Sequence, residues 1–152
     1  MQSKRKLKAR ILVFNQFSLL AVLAIHPGKE HLASEFPTGV LSLALYGIAL
    51  LILAFAGYAL RPSLRVSPIP IEGAPLITYG IYRWMRHPMY VAVSLFGIGM
   101  TISHLNAYSV TVLSALLINM YLKAKFEDQL LREIHAEAAN YQEKTSSIVG
   151  KR

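Results

Sequence analysis

The sequence predicts an all-α, polytopic membrane protein, with about four transmembrane helices followed by a cytoplasmic C-terminal helix. Three observations carry that prediction. The 152-residue chain is 54% hydrophobic and only 16% charged, well below the roughly 25% charged residues of a soluble domain. The charges are segregated, since neither Gly39 to Leu60 nor Pro88 to Leu122 contains an Asp, Glu, Lys or Arg. Such runs are of membrane length and bury largely against lipid. The bases, finally, gather at the ends of the apolar runs. A single domain, residues 1–152, is expected at this length.

The net charge of +8 fits either nucleic acid or an anionic membrane surface. Bases that flank apolar runs favour membrane lipids as the partner and not nucleic acid. The absence of cysteine excludes disulfides, thiolate metal sites and a cysteine nucleophile, and no metal site is expected.

The first span is expected at about Ala9 to Ile25, preceded by Lys4, Arg5, Lys6 and Lys8. At 1.5 Å per residue it covers roughly 25 Å, a little short of a hydrocarbon core of about 30 Å, so Lys8 and Arg10 would snorkel. A signal peptide is the alternative, but no small-x-small cleavage site precedes a polar region. Asn15 and Gln16, polar at this depth, suit hydrogen bonds to a neighbouring helix or a substrate lining. After a loop from His26 to Thr38, the second span runs from about Gly39 to Leu60, where Gly47 and Gly57 suit close helix packing.

Residues Arg61 to His87 form the longest loop, with four Arg against one acid, Glu72. Pro62, Pro68, Pro70 and Pro75 forbid a regular helix through its first half. Pro88 opens the third span, to about Ile102, because proline suits the first helical position and pushes its predecessor out of the α region. A tight turn at Ser103–Asn106 leads into the fourth span, about Ala107 to Leu122. From Lys123 to Lys144 the chain is charged and helix-prone, and Leu131, Ile134, Ala138 and Tyr141 fall on one stripe. The tail, Thr145 to Arg152, is expected to fray. Four spans put nearly all Lys and Arg on one side, which the positive-inside rule makes cytoplasmic, with both termini there.

The densest chemistry lies in Leu76 to Tyr90. A helix starting at Pro88 presents unpaired N–H groups and a partial positive charge, with Arg83, Arg86 and His87 beside it, an anion site. Tyr79, Tyr82, Trp84 and Tyr90 offer flat surfaces for a planar or cationic group. Singly, Arg83 and Trp84 equally suit headgroup anchoring, and His87 a helix cap. The third and fourth spans form a hairpin, so Glu127 and Asp128 return to the level of Pro88. Those acids suit either a solvated face bridged to Arg or a pocket with acids at one end and bases at the other.

Gly80, Tyr82, Arg83, Arg86, His87, Pro88 and Tyr90, in the run GIYRWMRHPMY, resemble the signature of the isoprenylcysteine carboxyl methyltransferase superfamily, which includes phospholipid N-methyltransferases. That pattern continues with a transmembrane hairpin, matched by Gly99, an acid pair, matched by Glu127–Asp128, and a terminal element, matched by Tyr141 and Thr145. The resemblance spans about residues 76–145. Departures are Asp128 for Glu, Ala92 for Gly, and His135–Ala136 for an aromatic–glycine pair. The resemblance implies S-adenosylmethionine as cofactor and a lipophilic small molecule or lipid as methyl acceptor, a carboxylate or an amine. It implies Arg86, His87 and Glu127 as catalytic residues. It implies Tyr82, Arg83, Arg86, His87, Pro88, Tyr90, Glu127, Asp128 and Tyr141 around the cofactor. A nicotinamide-dependent membrane reductase related to sterol reductases, or a non-enzymatic scaffold, are the competing classes.

Overall fold

The computed structural model describes residues 2–25, 38–61, 66–70 and 73–147. The uncharged runs become helices, because a chain in lipid must satisfy its backbone groups internally. In order these are α1 (Gln2–Ile25), α2 (Thr38–Ala59), α3 (Pro88–Ser103), α4 (Ala107–Ile134) and a short α5 (Ala138–Lys144), and Gly80–Arg83 forms a 3-10 turn. Most of the loop 26–38, with Lys29, residues such as Pro62 and Glu72 in the long loop, and the tail 148–152 lie outside the described residues.

Helices α1, α2 and α4 are long and apolar enough to cross a membrane, whereas α3 is a shorter apolar helix. Their outward faces are apolar, as lipid contact requires: Phe14 is 72% exposed and Leu43 71%. At 16 residues, α3 reaches about 24 Å. It is one arm of a hairpin with α4, and the turn between them is stabilised from within. Asn106 Oδ1 accepts from Ser109 N at 2.9 Å while Ser109 Oγ accepts from Asn106 N at 3.2 Å, a reciprocal cap that satisfies two otherwise orphaned donors. Helix α2 packs on α3 and α1 on α4, so α1 and α2 flank the hairpin.

Three expectations need correction. Gly47 and Gly57 face open space, with nothing within 4 Å of a Cβ placed there. The close approach is made instead by Gly99, where a Cβ would meet Tyr46 at 2.6 Å, and by Gly97, where it would meet Leu116 at 2.6 Å. Helix α1 starts seven residues earlier than the expected span, at Gln2. Its basic first turns dock on α4: Arg5 bridges Glu133 at 2.6 Å and the Lys8 ammonium lies 4.7 Å from the Phe126 ring centre. The fourth span and the polar helix are one helix through Ile134, since Lys123 to Ile134 contains no Gly or Pro to break it. The break falls at His135, which is extended, so the stripe Leu131–Ile134–Ala138–Tyr141 is divided between two helices. Ile134 is 43% exposed and Ala138 fully buried.

Candidate active site

Gly80 has φ +61, a conformation that glycine adopts without the Cβ penalty, and it opens the 3-10 turn. The turn buries Tyr82, whose carbonyl accepts a 2.6 Å hydrogen bond from the Tyr141 hydroxyl of α5. Burial, above all, pushes both phenols above their usual range, so both stay protonated. The chain then runs beside the terminal segment, where Arg86 N donates to Ser146 O at 2.9 Å. Pro88 sits in the first turn of α3, and His87, its N-cap, makes no side-chain cap hydrogen bond. The imidazole is used elsewhere.

His87 Nε2 lies 2.9 Å from Asp128 Oδ1, and Nδ1 lies 3.5 Å from Glu127 Oε2. A ring with a carboxylate at each nitrogen is best satisfied as the doubly protonated cation, which donates from both. Burial alone would lower its pKa, but the hydrogen bonds and charges of Asp128 and Glu127 outweigh this and push it up to about 9. Arg86 Nη2 donates to Asp128 Oδ2 at 2.9 Å. Its Nη1 donates to the carbonyls of Gln142, at 2.6 Å, and of Thr145, at the C-terminal end of α5. Tyr90 donates to Glu127 Oε2 at 2.6 Å and stacks on the His87 ring, centroids 5.3 Å apart. Of the two readings of the acid pair, the pocket with acids and bases at opposite ends does not hold, whereas the Arg–carboxylate bridge forms, largely buried. Acids and bases are in direct contact, because the hairpin register sets Glu127 and Asp128 against His87.

Lys123 was expected only to begin the polar helix, yet it is 1% exposed. Its ammonium donates to Gln16 Oε1 at 2.6 Å and lies 4.7 Å from the Tyr90 ring centre. The spacing holds a signal: Lys123 is four residues before Glu127, on the same face of α4. Gln16 thus bonds to a neighbouring helix, as one of its two readings had it, while Asn15 is exposed.

Two cavities meet at this cluster. The larger, about 280 Å³, lies between α1 and α2 and is lined by Gln16, Phe17, Leu53, Pro88, Tyr90 and Lys123, among others. Phe17, Leu53 and Val66 on its wall are exposed, so its mouth is apolar. The smaller, about 90 Å³, lies under the loop, lined by Pro70, Leu76, Ile77, Leu131 and Tyr141 among others. Leu60, Tyr82, Arg86 and Glu127 line both, so these four side chains partition a two-lobed site.

The sequence model of a family described as phospholipid methyltransferase matches residues 39–138. The chain belongs to that family. No curated protein and no solved structure matches it. The match runs from α2 to the start of α5, so it contains the Arg86–His87–Pro88 corner, Lys123 and the acid pair. Gln16 on α1 and Tyr141 on α5 lie outside it.

Among the residues that the sequence reading expected around the cofactor, Tyr82, Arg86, His87, Pro88, Tyr90, Glu127, Asp128 and Tyr141 converge. Asp128 stands behind the partition, holding Arg86 and His87. Arg83 lines neither lobe: it is exposed, in an adjoining cleft with Thr78, Glu137, Asn140, Tyr141 and Lys144 among others. Trp84 is 66% exposed, which suits an interfacial anchor. Lys123 and Leu60 are additions.

The donor set can be compared with S-adenosylmethionine, which carries a carboxylate, an ammonium, a ribose diol and an adenine. Arg86 Nε is buried with no hydrogen-bond partner among the described residues, which leaves one guanidinium donor for an anion. The Glu127 side chain is 29% exposed, which leaves carboxylate surface for a diol or ammonium. Apolar Leu60, Leu76, Ile77 and Leu131 offer a slot for a planar base. These residues fit the group.

Proposed function

We propose that the chain is an S-adenosylmethionine-dependent methyltransferase that acts on a lipophilic acceptor at the cytoplasmic membrane face. The observation that carries this reading is the two-lobed cavity. One lobe lies under a polar loop, the other opens between membrane helices, and Tyr82, Arg86 and Glu127 stand between them. A polar cofactor and an apolar acceptor would meet across that partition.

In this reading the smaller lobe takes the cofactor. Arg86 Nε binds its carboxylate, Glu127 its diol or ammonium, and Leu76 and Ile77 flank its base. When bound, S-adenosylmethionine supplies an electrophilic methyl carbon, which an acceptor lone pair takes as the carbon–sulfur electrons return to sulfur. The protein's part is orientation and exclusion of water more than acid–base chemistry. His87, charged at neutral pH, holds Glu127 and Asp128 in place. Should the acceptor be an amine, Glu127 is the carboxylate that faces it and takes its proton, beside Tyr90. A carboxylate acceptor has no proton to lose.

Equilibrium binding of S-adenosylmethionine to detergent-purified protein tests the reading, with NADPH as the comparison. Saturable binding of the former is expected. No binding at millimolar concentration, or NADPH binding in its place, would overturn the proposal.

A further inference from the structure

Lys123 has no role in the chemistry above, and its surroundings are unusual. Four charged groups line the larger lobe: Arg86, His87, Lys123 and Glu127. Arg86 and His87 are already matched to Asp128 and Glu127. Among the described residues, no carboxylate lies within salt-bridge distance of Lys123. Its ammonium donates to the neutral Gln16 amide oxygen and lies over the Tyr90 ring, and Glu127, one turn along α4, acts on it through charge from beyond that distance. An ammonium offers three donors, and a buried cation is costly unless it is paired or faces a cavity. The lobe thus carries one cation in excess, at its wall, beside an apolar mouth of Phe17 and Leu53.

We propose that Lys123 selects the acceptor by its head group, and that the larger lobe takes a lipophile with an anionic head, a carboxylate, in preference to a protonated amine. A carboxylate completes the coordination of the Lys123 ammonium. An ammonium head would stand among Lys123, Arg86 and His87 with Glu127, already bonded to Tyr90, as its single counter-charge on the wall. Gln16 aims Lys123 without neutralising it. The word acceptor rests on the methyltransferase reading; the head-group preference is a property of the cavity and is measured without turnover.

The test is binding of dodecanoate and of dodecylamine, equal in chain and opposite in charge, to the full chain in a neutral detergent. A pH of about 7 ionises both probes. Dodecanoate is expected to bind at least about tenfold more tightly. Lys123→Met is expected to abolish the preference, and Lys123→Arg to retain it. Equal binding, tighter binding of the amine, or a preference that survives in Lys123→Met overturns the proposal. The wild-type comparison decides even where Lys123→Met fails to fold. Binding of S-adenosylhomocysteine, measured on the same sample, separates the two claims. Acid preference without nucleoside binding overturns the methyltransferase reading alone, and nucleoside binding without acid preference overturns this inference alone.

Discussion

His87 is the residue on which the site's electrostatics turn. Its pKa is raised from an ordinary 6.5 to about 9, so the folded state holds its proton more tightly than the unfolded chain does. The stabilisation is therefore fully present below about pH 6.5 and is lost as pH rises through about 9, on the order of 3 kcal/mol in all. Thermal unfolding followed against pH is expected to fall across that window, and His87→Gln to flatten it. An unchanged profile in the variant would show that the imidazole is not paired as described. Arg86 acts through geometry: its fork joins Asp128 to the end of α5. Arg86→Met should cost about 2–3 kcal/mol by removing one of the two cationic partners of Asp128 and freeing two carbonyls. Arg86→Lys should recover only part of that, because a point charge cannot make the fork. Chemical denaturation in mixed micelles measures both.

Among the elements, the α3–α4 hairpin sets the register that brings residues 87 and 128 together. Its packing on α2 depends on Gly99, where a methyl group would sit 2.6 Å from the Tyr46 ring. Gly99→Ala is expected to destabilise by about 1–3 kcal/mol through overpacking. Gly47→Ala, facing open space, should change stability by less than about 0.5 kcal/mol or raise it slightly. Equal effects at the two positions, in thermal unfolding, would contradict the packing described. The hairpin was legible in the sequence because Pro88, Asn106 and the missing charges mark its ends by local physics. The break at His135 was not legible. His135–Ala136–Glu137 contains neither glycine nor proline, and the break accompanies tertiary bonds, those of Gln142 to Asp128 and of Arg86 to the α5 carbonyls. The role of Lys123 was hidden for the same reason. A lysine at the end of an apolar run reads as an anchor until Gln16, more than a hundred residues away, is placed against it.

At the scale of the whole molecule, the proposed function sets two ligands of opposite character on either side of one wall. The convergence of eight expected residues followed from the motif and the hairpin together, since neither half alone makes a cavity. The larger lobe, by contrast, depends on where α1 and α2 stand, and composition carries no record of that. Substitutions that fill one lobe at a time test this central claim most directly. Leu76→Trp fills the smaller lobe and Leu53→Trp the larger, and titration with S-adenosylhomocysteine reads the outcome. The partition predicts that Leu76→Trp abolishes binding and that Leu53→Trp leaves the wild-type affinity. Loss of binding in Leu53→Trp with retention in Leu76→Trp would contradict it, as would wild-type affinity in both.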